Sequence, residues 1–119
     1  MFTVKFYTDK KGRQPIQEVL NELRDKAITN KDARIQYEKI LVYIRALRTY
    51  GTRLGEPKVK HIRDSLWELR PLKHRVFFFH WQGNQLVFLH HFVKKTQKTP
   101  RKEIGQALKN MADFLERNP

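Results

Sequence analysis

One carboxylate stands among cations in the middle of this chain. Glu68 is followed by Arg70, Lys73 and Arg75. The stretch Leu66-Trp67-Glu68-Leu69-Arg70 alternates strictly. On a strand, Leu66, Glu68 and Arg70 therefore share one face, and Trp67 and Leu69 take the other. An antiparallel return through the turn Pro71 to His74 brings Arg75 near the Glu68 face. Opposite charges within about 4–6 Å favour an ionised carboxyl, so the sequence predicts a charged Glu68. This grouping suits cleavage of RNA without a metal. The carboxylate takes a proton from a ribose 2′-OH, while arginine and lysine stabilise charge building on the phosphorane. The same residues would also serve as a cross-strand salt bridge that only fixes register and adds little if exposed.

Other chemistry is sparser. The histidines are 61, 74, 80, 90 and 91. His90 and His91 are adjacent, so on a strand they face opposite ways. His80 and one of that pair would meet across a hairpin, but no third ligand is in place for zinc. His91 precedes a lysine cluster and is the candidate general acid, since an imidazole titrates near neutral pH. With no cysteine, disulfides, thiolate nucleophiles and cysteine zinc sites are all excluded. Gly51-Thr-Arg-Leu-Gly55 lacks the Gly-Lys-Ser/Thr ending of a phosphate loop.

The elements that must position these groups read as follows. Phe2, Val4 and Phe6 alternate with polar residues, a strand pattern. Pro15 opens a helix carrying Ile16, Val19, Leu20, Leu23 and Ala27. Asn30 caps a second helix, with Tyr37, Ile40, Leu41, Ile44 and Leu47 as its stripe. Three strands follow: Leu66–Arg70, Arg75–Trp81 and Gln85–Val93. The last two are nearly continuous in apolar character, as suits central strands, and Gln82-Gly83-Asn84 turns between them. Thr99 is placed to cap a final helix, with Pro100 at its first position. The order is β-α-α-β-β-β-α, an α+β arrangement of helices around an antiparallel meander. A half-covered sheet with a basic open face is expected.

Length and charge set the frame. The 119 residues suit a single domain spanning 1–119. Lys and Arg number 25 against 12 Asp and Glu, for a net charge of +13. Between Lys58 and Lys102 lie eleven basic residues opposed only by Asp64 and Glu68. A regional excess of this kind makes a surface for a polyanion. It selects Lys58, Lys60, Arg63, Lys73, Lys98, Arg101 and Lys102 as RNA-binding candidates around a centre of Glu68, Arg70, Arg75, Lys94, Lys95 and His91. No apolar run approaches a membrane span and no leader is evident, so a soluble cytoplasmic protein is expected.

Leu66–Arg70, then His74–Phe79, then the segment Leu89–Pro100 with Glu103, Ile104 and Ala107 beyond it, together resemble the RelE superfamily of toxins. The likeness is greatest to its HigB-type branch, the phage-derived toxins of type II toxin–antitoxin modules. The resemblance implies two helices packed on an antiparallel sheet and a toxin that cleaves mRNA on the translating ribosome. It implies metal-free attack of the 2′-OH on the adjacent phosphate, with no cofactor. It also implies a HigA-like antitoxin bearing a helix-turn-helix domain, forming a heteromer that represses its own operator DNA. Arg75 matches the arginine that contacts the scissile phosphate in RelE-type toxins. Glu68 stands where those toxins place a basic residue. Lys94, Lys95 and Lys98 lie where relatives place a basic residue or histidine, and the terminal tyrosine of RelE-type toxins has no counterpart.

Three functions are compatible with these residues. One is the ribosome-dependent endoribonuclease toxin. The second is a toxin of the same fold that inhibits DNA gyrase and cuts nothing. The third is a non-enzymatic nucleic-acid-binding protein held by counterion release.

Overall fold

The computed structural model describes residues 1–119. Strand β1 (Thr3–Phe6) leads through a charged turn into helix α1 (Pro15–Ala27), which has Pro15 at its start as the sequence predicts. Helix α2 (Lys31–Tyr50) is capped by Asn30, whose side-chain oxygen accepts from the Ala33 N–H at 2.9 Å. A 3-10 turn at Gly51–Leu54 closes it. Four strands follow: β2 (Val59–Arg63), β3 (Leu66–Leu69), β4 (His74–His80) and β5 (Gln85–Val93). Helix α3 (Arg101–Arg117) ends the chain.

All five strands form one sheet in the order β1-β5-β4-β3-β2. The strands and the last helix differ from those expected from sequence. Strand β2 is an addition, hidden because Lys58, Lys60, His61 and Arg63 leave only Val59 and Ile62 to mark it. The sheet is mixed, because β1 runs parallel to β5 while the other pairs are antiparallel. Helix α3 starts at Arg101, with Pro100 in the capping position and no side-chain cap. The Thr99 hydroxyl is directed to Glu68 instead, at 3.4 Å.

The sheet is covered on both faces rather than one. On the first, Ile16, Leu20, Ile40 and Leu47 of the two N-terminal helices meet Val59, Leu69, Val76, Phe78, Leu86 and Phe88. On the second, Ala107 and Phe114 of α3 meet Leu66, Phe77, Phe79, Val87 and Leu89. Phe77, Phe78 and Phe88 are fully buried, each contributing about 2 kcal/mol through area removed from water. The consecutive phenylalanines thus feed two cores, which is why the run has no polar interruption. A bulge between Phe77 and Phe78 shifts the β4–β5 register, so Phe78 pairs with Phe88 and Phe77 with His90. No helix is long and apolar enough to cross a membrane.

Gly51 joins α2 to the rest of the fold with φ of 61°. A methyl group there would meet the Phe2 ring at 2.6 Å. Gly51→Ala should therefore cost about 2 kcal/mol in urea unfolding, from backbone strain and overpacking together. An unchanged midpoint would show that the Phe2 ring yields freely.

Candidate active site

Glu68 occupies the middle of β3, on the α3 face of the sheet. Its side chain is fully buried. Arg70 Nε lies 3.4 Å from its Oε1 and Arg75 Nε lies 4.0 Å from the same atom. The Thr99 hydroxyl donates to its other oxygen. The strand alternation and the β3–β4 pairing bring the three charged groups together as the sequence predicts. The protonation balance differs from the expectation. Burial pushes the Glu68 carboxyl above its ordinary value, against the pull of Arg70, Arg75 and Lys94 and the Thr99 hydrogen bond. Glu68 Oε1 and the two Nε atoms are sealed from solvent without a formed hydrogen bond. The guanidiniums are thus steered by the carboxylate but not saturated by it.

Arg75 is held from a second direction. Its Nη1 donates to the carbonyls of Leu72 at 2.7 Å and His74 at 2.9 Å. These carbonyls belong to the turn Pro71–His74, closed by a bond from the His74 N–H to the Pro71 carbonyl at 3.0 Å. Leu72 has φ of 57° while Lys73 does not enter the left-handed region. That combination matches a type II′ turn, which favours glycine at its first central position. Leucine there costs roughly 1–2 kcal/mol of backbone strain.

The two arginines open onto a cleft of about 530 Å3. Arg70, Lys73, Arg75, Lys94 and Lys95 line it with Leu72, Thr96 and Gln97, and no acid does. Lys94 is half-buried, and its ammonium is pulled below the ordinary lysine value by that burial, then by Arg75, Arg70 and Lys60. The cleft therefore collects five of the residues selected from sequence. Lys60 lies across from Glu68 in the β2–β3 register, beside the cleft. Lys58, Arg63, Lys98, Arg101 and Lys102 are exposed and line none of it. Arg63 instead faces Asp64 at 3.6 Å.

His91 does not join this group. It points to the opposite face of the sheet, where its Nε2 lies 2.8 Å from His74 Nδ1. His74 Nε2 lies 2.7 Å from Gln36 Oε1 on α2, and Gln36 Nε2 donates to Asp32 Oδ2 at 2.7 Å. An amide oxygen only accepts, so His74 carries its proton on Nε2 and its Nδ1 accepts from His91 Nε2–H. Both imidazoles are neutral in this chain of donors. Burial, then His74 and His90, pushes His91 down to about 4. Burial, then Arg75, pushes His74 down as well. A neutral imidazole on the far face cannot be the proton donor for the arginine cluster. His80 does not approach this pair either, being bonded to the Gly83 carbonyl, and His90 is bonded to Glu103 at 2.9 Å. The partnership of His74 with His91 and Gln36 was not legible in sequence, because the strand bulge sets which side chains meet.

The depressed value gives a pH signature. An unfolded histidine takes a proton near pH 6.5, whereas folded His91 resists it down to about 4. The unfolded state then binds more protons, and stability falls as pH drops from about 6.5 to about 4, by roughly 3 kcal/mol. Urea unfolding of His91→Gln across the same range should show a shallower fall than the parent. Equal slopes would assign the acid sensitivity elsewhere.

No curated protein matches the chain. A family model described as phage-derived protein Gp49-like matches residues 18–112. That range includes Glu68, both arginines, Lys94, Lys95 and the whole histidine chain. With the α+β order and the basic cleft in place, the chain belongs to the phage-derived Gp49-like family, a HigB-like toxin family of the RelE superfamily.

Proposed function

We propose that this protein is the toxin of a type II toxin–antitoxin module, cleaving mRNA on the translating ribosome. The observation that carries the reading is a cleft lined by five cations and no acid, with a buried carboxylate behind it. A toxin of this family implies a cognate antitoxin, and we assign it the helix-turn-helix type. An open cleft this small gives mRNA little to grip, and orientation supplies much of the rate in such chemistry. The ribosome provides that orientation, with the exposed cations Lys58, Lys98, Arg101 and Lys102 resting on ribosomal RNA phosphates.

The chemistry follows from the cleft. Arg75 and Arg70 bind the scissile phosphate and stabilise the charge that builds on it as the ribose 2′-oxygen attacks. Glu68 is shielded from the cleft mouth, so its part is to orient the two guanidiniums rather than touch the substrate. Burial, then Arg75 and Arg70, lowers the proton affinity of Lys94 against the pull of Glu68 and so enlarges its deprotonated fraction, and it is this fraction that takes the 2′-OH proton. The P–O bond to the 5′-oxygen breaks as the new bond to the 2′-oxygen forms. The products are a 2′,3′-cyclic phosphate and a 5′-hydroxyl, protonated by an ammonium at the mouth, Lys73 or Lys95.

Arg75→Lys keeps a charge beside Glu68 but loses the planar fork. It should lower translation arrest in a purified translation assay by about 10²-fold, with a circular-dichroism melt close to that of the parent. Lys94→Ala should flatten the acid limb of the pH–rate profile as well as slow the reaction. Full arrest by a folded Arg75→Lys protein would remove the arginine from the chemistry. Intact mRNA together with DNA damage in expressing cells would favour gyrase inhibition.

A further inference from the structure

The turn Pro71–His74 is a wall between two cavities. One is the basic cleft. The other, of about 440 Å3, is lined by Asp32, Gln36, Leu72, Lys73 and Val93. Leu72 and Lys73 line both. Their surfaces differ in kind. The second cavity offers two exposed aliphatic side chains, Leu72 at 46% and Val93 at 43%, beside one amide, one carboxylate and one ammonium. An apolar wall with a few fixed polar groups, in this size range, is the make-up of a small-ligand site.

The polar groups are oriented before any ligand arrives. His74 Nε2–H fixes the oxygen of the Gln36 amide, and Asp32 Oδ2 fixes one of its N–H bonds. The second N–H of Gln36 and Oδ1 of Asp32 bond no other protein group and face solvent. A free donor thus sits beside a free acceptor. Leu72 adds a second observation. Its left-handed φ would be cheaper with glycine, yet the position carries a leucine whose side chain walls both cavities. Strain held at such a position points to function.

We propose that this cavity is the nucleobase subsite of the cleavage centre. The base next to the scissile phosphate lies against Leu72 and Val93, and the free Gln36 N–H and Asp32 Oδ1 read its edge. The phosphate of the same nucleotide reaches over the turn to Arg75 and Lys94. The inference rests on the RNA-cleaving reading above and adds the residues that choose the cut position. The polar chain from His91 to Asp32 holds the Gln36 amide so that one N–H is presented in a fixed direction.

Asp32→Asn tests this without disturbing the chain, since the asparagine oxygen still accepts from Gln36 while the free acceptor becomes a donor. Leu72→Gly removes the wall and relieves the backbone. Cleavage positions on ribosome-bound mRNAs of varied sequence should show a preferred base beside the cut. The ratio of best to worst base should fall about tenfold in Asp32→Asn and in Leu72→Gly. A parallel titration of the free protein with the four nucleoside monophosphates, followed by the Gln36 side-chain amide resonances, should shift them. Cleavage with the same preference in parent and both variants, or with none in the parent, overturns the subsite. A shifted amide without any cleavage overturns the nuclease reading and leaves a nucleotide-binding cavity. No shift and no cleavage overturns both.

Discussion

A carboxylate sealed from water must be compensated by charge within a few ångströms, or its pKa rises until it neutralises. Glu68 is in that position, and much of the molecule is arranged around it. Strand β3 delivers it to the α3 face. Arg70 follows on the same face, and the tight turn at Pro71–His74 returns Arg75 beside it. The segment between β5 and α3 reaches it through Thr99, whose hydroxyl supplies the one hydrogen bond to the carboxylate. Removing a partner from a buried ion cluster commonly costs 3–5 kcal/mol, roughly as much as a large core truncation. The same arrangement is useful for binding anions. The two guanidiniums turn their Nε atoms to one buried oxygen and leave the rest of each fork, partly exposed, facing the cleft for a phosphate.

The turn that returns Arg75 is supported from the other side of the sheet. His74 leaves the turn and enters the layer between the sheet and α2, where it is held by Gln36 and His91. Arg75, the next residue, faces the cleft and is held by the carbonyls of Leu72 and His74. Strand alternation therefore couples a neutral, hydrogen-bonded imidazole chain on one face to a cationic cleft on the other. The low proton affinity of both imidazoles keeps them uncharged at neutral pH, so a sixth and seventh positive charge are not added behind a cleft already lined by five cations.

Much of this was legible in residue types. The alternation at Leu66–Arg70 placed Glu68 and Arg70 on one face, and the short turn brought Arg75 to it. Pro15 and Asn30 marked helix starts because each answers a local backbone need. What escaped depends on contacts distant in sequence. Strand β2, with Lys60, His61 and Arg63 among its five residues, carries little apolar pattern, yet it pairs because β3 offers it an edge. The parallel seat of β1 beside β5 needs two helices to cross the sheet first. Thr99 has the sequence of a cap, and the buried carboxylate takes its hydroxyl. His91 stands beside lysines in sequence but on the other face of the sheet in space. Its partner His74 was invisible because the bulge at Phe77–Phe78 sets the register. The family match agrees with the resemblance carried by Leu66–Arg70, Arg75 and the lysine segment.

The central claim is that the cleft of Arg70, Arg75 and Lys94 drives attack of a ribose 2′-OH on its own phosphate. The most direct measurement is the chemistry of the ends produced when purified protein meets an mRNA threaded through ribosomes, with a ribosome-free reaction alongside. New ends should appear inside the decoding site, bearing a 2′,3′-cyclic phosphate on one fragment and a 5′-hydroxyl on the other, and be absent without ribosomes. Intact mRNA with folded, antitoxin-free protein would contradict it, as would fragments carrying a 3′-hydroxyl and a 5′-phosphate.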